Sequence, residues 1–303
     1  MDFSSFERVY EGEGSCYGGV SISPEGNVLT MHATNNNHHG DTDNSVAAAF
    51  YEASTGKWYP REGWPTPDGR NGYHRMLVNG RSAIGVCQRA VYESSSRYAA
   101  WGKDYTGTWR KITLFACDDL TSAPWRMRRY WLDPQFGATM IWDIFRGPDG
   151  HAYVAYDHAY AETYETSNIP STLHIARIHE DLSAEVFDLG IANEGGRPCP
   201  LFDRNGNWYL SYWDKNDACN MLLKLDPAHG FKPVSRYVLG DAETPMVLYV
   251  LRPEQFGGET IIDDTARYIS RTYRPQGEGH YPLIDVVYGE FELPVNAVYT
   301  EHG

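Results

Sequence analysis

One local pattern recurs along this chain and limits what it can fold into. A short apolar run meets a glycine-containing polar turn, and a second run follows in which aromatic or branched residues alternate with others. Its clearest copy is EGGRPCPLFDRNGNWYLSYWDKND at 194–217, where Asp203-Arg204-Asn205-Gly206 separates the apolar run 198–202 from the aromatic run 208–213. A tight reversal needs a residue that accepts positive φ, which Asn-Gly supplies, so the stretch reads as a β-hairpin. Looser copies stand at ISPEGNVLTMHA (22–33), MLVNGRSAIGVCQ (76–88) and IFRGPDGHAYVAYDH (144–158).

The turn glycines of these copies, Gly26, Gly80, Gly150 and Gly206, with a weaker one at Gly258, are spaced by 54, 70, 56 and 52 residues. Units of roughly this length that cannot bury both faces alone are the mark of propeller blades, each a four-stranded meander. The expectation is an all-β, five-bladed β-propeller forming one domain over 1–303, with blades near 14–60, 72–133, 138–190, 194–240 and 243–294. In the first blade the strands are expected at 17–22, 28–33, 45–52 and 57–60. Closure of the ring would pair 6–10 with 286–293. Seven blades would leave about 43 residues each, which the turn count does not support. A two-sheet sandwich is the structural alternative, with evenly spaced strands and no repeated unit.

Composition agrees with the β reading. The 303 residues include 22 Tyr and 9 Trp, and a 3.6-residue apolar period is hard to find. A formal net charge of -14 argues against a nucleic-acid or anionic-membrane partner, since both need a positive surface field. It leaves sugar-like ligands open. The five cysteines (Cys16, Cys87, Cys117, Cys199, Cys219) show no C-x-x-C pair and read as buried thiols rather than a disulfide or zinc framework. No apolar segment approaches the ~20 residues of a membrane span. The acidic start MDFSSFERVYEGEG lacks the features of a secretory signal, so a cytoplasmic protein is expected, or a secreted one if a signal has been removed.

In a propeller the inner-strand starts and second-strand ends share one rim around the channel, while the hairpin turns lie at the opposite end. Inner-strand starts contribute Tyr17, Tyr73-His74-Arg75, Trp142-Asp143, Arg197 and Glu243. Strand returns contribute His38, His39, Arg89, Asp157, His158, Tyr160, Trp213, Asp214 and Arg267. Carboxylates, imidazoles, guanidinium groups and aromatic faces together suit an oligosaccharide, whose hydroxyls need donors and acceptors and whose C–H faces stack on rings.

Two chemistries fit the rim. Hydrolysis of a glycosidic bond needs a protonated and an ionised carboxyl group, ~5–5.5 Å apart for retention or ~6.5–9.5 Å for inversion. Asp143 and Glu243 are the first pair, with Asp157 as alternative or tuner. A uronate lyase instead neutralises the sugar carboxylate with Arg and moves protons with His or Tyr, roles open to His74, Arg75, Arg89, His158, Tyr160 and Arg197. Tyr17, His38, His39, Trp142, Trp213, Asp214 and Arg267 are expected to bind substrate. No cofactor is expected. His38-His39-Gly40-Asp41-Thr42-Asp43 is a weak candidate for a divalent cation, since an exposed turn accounts for it equally well. Any one strand-end carboxylate is more often a turn cap or an Arg partner than a catalyst. G-x-S-x-G and G-x-x-x-x-G-K motifs are absent. A non-enzymatic sugar-binding propeller would show near-equivalent residues in each blade, and Tyr17, His74, Asp143, Arg197 and Glu243 differ.

GPDGHAYVAYDH and DRNGNWYLSYWDK resemble the inner-strand hairpins of five-bladed propeller glycosidases, the group of arabinanases, xylosidases and invertases. The resemblance implies a carbohydrate-active enzyme, and propeller polysaccharide lyases are the second choice. The family pattern places an Asp on the first inner strand, where this chain has Cys16-Tyr17-Gly18-Gly19, and a Glu on a later one, where it has Arg197. The family's acid and base are therefore not carried over.

Overall fold

Four of the five turn glycines reverse the chain with positive φ: Gly26 at 86°, Gly80 at 56°, Gly150 at 81° and Gly206 at 73°. The computed structural model describes residues 18–34, 45–61, 71–90, 109–131, 137–160, 171–193, 198–214, 217, 219–239, 248–251, 263–274 and 283–294. Gly258 lies outside them. In three hairpins the same two backbone bonds close a three-residue loop: Ser23 N to Asn27 O with Gly26 N to Ser23 O, Gly147 N to His151 O with Gly150 N to Gly147 O, and Asp203 N to Asn207 O with Gly206 N to Asp203 O. This is a turn followed by a left-handed residue, the position glycine occupies without a Cβ penalty. The fourth turn is tighter, with Asn79 paired directly to Ser82.

Nineteen strands among the described residues form five antiparallel sheets in chain order. Sheet 1 holds β1 (Gly18–Ile22), β2 (Val28–Thr34), β3 (Ser45–Glu52) and β4 (Lys57–Arg61). Sheet 2 holds β5 (Asn71–Asn79), β6 (Ser82–Ala90), β7 (Trp109–Cys117) and β8 (Arg126–Trp131). Sheet 3 holds β9 (Gly137–Arg146), β10 (Ala152–Tyr160), β11 (Ser171–Ile178) and β12 (Ala184–Asn193). Sheet 4 holds β13 (Cys199–Phe202), β14 (Trp208–Asp214), β15 (Cys219–Asp226) and β16 (Lys232–Leu239). Sheet 5 shows three strands, β17 (Leu248–Leu251), β18 (Thr265–Arg274) and β19 (Leu283–Glu292). Each sheet is a meander, as the hairpin spacing predicts. The strand expected at 6–10 lies outside the described residues.

The core is a series of layers between consecutive sheets, which a two-sheet sandwich would not give. Leu29, Met31 and Phe50 of sheet 1 cluster with Met76, Val78 and Phe115 of sheet 2. Leu77, Val86 and Leu114 of sheet 2 cluster with Ile141, Val154 and Tyr156 of sheet 3. Between sheets 3 and 4 the packing is aromatic: Trp208 meets Tyr153 edge-on at 4.8 Å and Phe202 edge-on at 4.8 Å. Each such side chain contributes ~1.5–3 kcal/mol by leaving water, and the edge-to-face geometry adds to that. Cys199, Leu201 and Tyr209 of sheet 4 pack with Ala266 and Leu293 beside sheet 5. The described cysteines, Cys87, Cys117, Cys199 and Cys219, are buried.

The turn end is tied together by polar bonds. Buried Asn27 donates from Nδ2 to Gly80 O at 3.0 Å and accepts from Ala53 N at 2.9 Å. Glu52 pairs with Arg81 across sheets 1 and 2. Asp263 N donates to Phe202 O at 3.0 Å, and Arg204 pairs with Asp264, joining sheets 4 and 5. The turn glycines thus belong to a cross-linked scaffold.

Candidate functional site

Two inner strands carry an extra residue, near the end opposite the turn in β5 and in mid-strand in β9. In β5, Gly72 pairs with Gln88 and Arg75 with Val86, so two residues, Tyr73 and His74, face the single Cys87. Tyr73 sits at φ 55°, an uncommon conformation for a bulky residue that the surrounding packing has to hold. In β9, Ile141 pairs with Tyr156 and Asp143 with Ala155, so Trp142 is the extra residue. A bulged residue drops out of the ladder and frees its polar groups, which is why bulges recur beside sites. Here the freed Trp142 carbonyl accepts from Arg75 Nε at 3.4 Å, while Arg75 Nη1 donates to His74 O at 3.2 Å. One guanidinium therefore links the bulges of sheets 2 and 3.

His74 is fully buried, with its ring 6.4 Å from Phe115. Sheet 1 approaches it through Gly19, where any Cβ would overlap the His74 carbonyl oxygen. Trp142 Nε1 is buried and has no hydrogen-bond acceptor among the described residues. Sheets 1, 2 and 3 thus converge on His74-Arg75 and Trp142-Asp143.

Strand alternation then sorts the remaining groups by face. Asp143 pairs with Ala155, which belongs to the cluster packed against sheet 4. Asp157, two residues beyond Ala155 and 5% exposed, faces the same way. Tyr212, also of that cluster, orients β14 so that Asp214 faces sheet 3. Three carboxylates, Asp143, Asp157 and Asp214, therefore address the cleft between sheets 3 and 4. On the other face of β10, Tyr156 stacks on His174 at 5.1 Å, and His158 meets His174 edge-on at 6.1 Å. Burial, followed by the nearby Asp188 charge, pushes the Tyr156 phenol far up, so it stays neutral.

Asp214 accepts from Tyr212 Oη at 2.9 Å and from Arg236 Nη2 at 2.6 Å, and the same nitrogen reaches Asp217 at 2.6 Å. Arg236 is a partner that the sequence does not signal locally, because β15 and the register of β16 bring it back to β14. His174 was also missed. Its place in the alternating stretch HIARIH was the available signal.

Two expectations of position are corrected. Trp142 and Asp143 do not start an inner strand: β9 begins at Gly137, and the pair falls at a bulge in the middle of the strand. Arg267 does not belong to the rim. It pairs with Leu251 near the beginning of β18, beside Asp263 and Asp264, which bond to the sheet 4 turn, and its ion pairs are to Asp263 and Glu290. Tyr17, His38, His39, Arg197 and Glu243 lie outside the described residues, as do Asp41 and Asp43. Arg89 and Tyr160 are placed by backbone register only, opposite Asn71 and Gly137. Trp213 is half-buried on β14. Among the described residues no group of three or more His, Cys, Asp or Glu is arranged to hold a metal ion, and no helix is long and apolar enough to cross a membrane.

Five meandering sheets with a polar end opposite their hairpin turns define a propeller-like all-β protein. Solved structures of carbohydrate-active enzymes share this fold. A single-substitution variant of the alpha-L-arabinofuranosidase Arb93A from Fusarium graminearum, in complex with an iminosugar inhibitor, gives a TM-score of 0.51 at 9% identity, covering 91% of this chain and 76% of that one. A PL25 ulvan lyase bound to -[GlcA(1-4)Rha3S]- gives 0.50 at 9% identity over 95% and 69%. Polysaccharide lyase Uly1 gives 0.50 at 10% identity over 91% and 58%, so this chain spans little more than half of that protein. No protein-family model matches the chain, and no curated protein matches its sequence.

Proposed function

We propose that this protein is a carbohydrate-active enzyme that cleaves a glycosidic bond in an oligosaccharide by hydrolysis. Its five sheets form a ring closed by the chain's beginning and end, with the site at the end opposite the turns. The reading is supported above all by Asp143 and Asp157 sharing the face of sheet 3 that looks at sheet 4. Two carboxyl groups on one face, one buried and one half-buried, suit the division of labour that hydrolysis needs. Asp157 donates a proton to the leaving oxygen. Asp143 acts as nucleophile or as base toward water. Glu243 is the alternative partner of Asp143, and Trp142 and Trp213 give the sugar ring faces to stack on. An oligosaccharide is the partner; nucleic acid and anionic membrane are disfavoured by the net charge of -14.

A second reading is favoured by Arg75, whose guanidinium stands between His74 and Trp142. It would neutralise a uronate carboxylate while His158 or Tyr160 moves the C5 proton in a β-elimination. Incubation with neutral and uronate-containing oligosaccharides, following reducing ends together with ultraviolet absorbance of the unsaturated product, separates these readings. Reducing ends without absorbance are expected. New absorbance would replace hydrolysis by elimination, and silence in both would leave a non-enzymatic sugar-binding propeller.

A further inference from the structure

A cavity of about 320 Å³ opens between the outermost strands of sheets 3 and 4, with β12 on one side and β16 on the other. Its volume lies at the lower end of what small-molecule sites occupy, ~300–1,000 Å³. It meets the rim only at Asp214. Both of its walls are bulged strands. In β12, His174 pairs with Asp188 and Thr172 with Ala192, so the single Leu173 of β11 faces three residues, 189–191. The loop so formed is held by Gly190 at φ 67° and by Asp188 Oδ1, which accepts from Gly190 N at 2.8 Å. In β16, Lys224 pairs with Ser235 and Leu225 with Pro233, so Val234 is skipped. Gly190, Ile191 and Ala192 from one bulge and Pro233 and Ser235 from the other line the same space. Two neighbouring sheets thus bend their outer edges around one cavity.

The floor of the cavity is polar and fixed. Asp214 and Tyr212 are 7% and 4% exposed, and Arg236 Nη2 bonds both Asp214 and Asp217. Arg236 itself is 46% exposed on its side chain, and its Nε and Nη1 make no hydrogen bond among the described residues. Two directional donors are therefore held in place by an ion pair that uses the third nitrogen. Beside them stand the Ser235 hydroxyl and the apolar surfaces of Ile191, Leu223 and Pro233. Donors, carboxylate oxygens and an apolar wall in one small cavity match the edge and face of a single sugar ring. With two carboxylates against one guanidinium the local charge is negative, which disfavours a uronate and selects a neutral sugar.

We infer that the cleft between β12 and β16 is a second saccharide-binding site, taking one neutral sugar unit and separate from the cleavage site. It rests on the carbohydrate reading of the rim for the class of ligand, and the following experiment keeps the two apart. Calorimetric titration with xylobiose, arabinobiose and glucuronate is made on the full chain carrying Asp143→Asn, alone and combined with Ala192→Trp or Arg236→Gln. Ala192 is exposed on an edge strand, so the indole fills the cavity without entering the core, and an unchanged melting temperature for that variant verifies it. The expected result is binding of a neutral disaccharide to the Asp143→Asn protein at two sites, one on the rim that neither further substitution changes and one weakened at least ~tenfold by Ala192→Trp and by Arg236→Gln. A titration with the same stoichiometry and the same affinities after Ala192→Trp overturns the inference, as does the absence of any site sensitive to that substitution at ~10 mM or a preference of that site for glucuronate. Cleavage activity is measured in parallel on protein with Asp143 intact. Cleavage without binding sensitive to Ala192→Trp would sink the second site and leave the rim standing. Sensitive binding in a protein that cleaves nothing would do the reverse.

Discussion

Arg75 Nε lies 3.4 Å from the carbonyl oxygen of Trp142, a bond between the inner strands of two different sheets. Its acceptor is available because Trp142 is the extra residue of a bulge and has left the ladder of β9. The guanidinium also reaches the His74 carbonyl, so a single side chain sets the position of both bulges.

Replacing Arg75 is therefore expected to disturb the site more than the fold. Arg75→Ala should lower kcat/KM by about 10²-fold, the scale of a misplaced catalytic group, while the melting temperature changes little. Arg75→Lys should not restore activity, because an ammonium has no planar fork to span two carbonyls. Steady-state kinetics on the oligosaccharide found by the substrate panel, with thermal melting alongside, check both statements. A large loss of stability with proportional loss of activity would assign Arg75 to the scaffold.

The carboxylates make a sharper prediction. Asp143→Asn and Asp157→Asn should each lower kcat by about 10²–10⁴-fold with little change in KM. If Asp143 is the nucleophile, added azide should rescue its alanine variant as the glycosyl azide, which mass spectrometry detects. Full activity in Asp157→Asn would move the partner role to Glu243.

The sequence makes the frame legible and the site only partly so. Gly26, Gly80, Gly150 and Gly206 could be placed at hairpin turns because positive φ demands a particular residue type, and the strands they join followed from alternation. Bulges leave no such mark. Nothing in GATMIWDIFR says that Trp142 is skipped in the ladder, since that depends on the neighbouring strand, and Asp143, expected at a strand start, lies in the middle of β9. Arg267, the third residue of β18, was misplaced because 13 residues separate β17 from β18 and no local pattern marks where the second strand begins. The Asp214–Arg236 pair is a tertiary contact set by the register of β14, β15 and β16, which no local pattern encodes.

Gly19 tests the convergence of the first two sheets. A methyl group there would meet the His74 carbonyl oxygen and approach the end of Met76. The obstacle is backbone, which cannot swing aside as a side chain would, so Gly19→Ala should destabilise the protein by roughly 1–3 kcal/mol. Because the displaced atom belongs to the residue that Arg75 holds, activity should fall further than stability. Urea unfolding and kinetics on the same sample check the order of the two effects. An unaffected midpoint would mean that sheet 1 does not bear on His74.

Asp203 makes the turn end sensitive to acid. It is fully buried, which alone would raise its pKa, yet bonds from Asn207, from Tyr209 and from the Asn205 and Asn207 backbone outweigh burial and hold it below the usual carboxylate range. Tyr209 donates to Asp203 Oδ2 at 2.9 Å, and burial followed by that bond keeps the phenol protonated. A carboxyl whose pKa is depressed on folding contributes stability that is present above its unfolded value, about 3.9, and is lost as pH falls through the lower folded value. Unfolding free energy should therefore decline as pH drops below about 4. Asp203→Ala should be less stable by roughly 2–4 kcal/mol at neutral pH, since it leaves two backbone N–H groups and the Asn207 amide without their acceptor and the buried Tyr209 hydroxyl with only the Pro294 carbonyl at 3.5 Å. The variant should also show a shallower acid slope than the parent. Denaturant titrations at several pH values measure both quantities, and parallel slopes for the two proteins would remove Asp203 as the source of acid sensitivity.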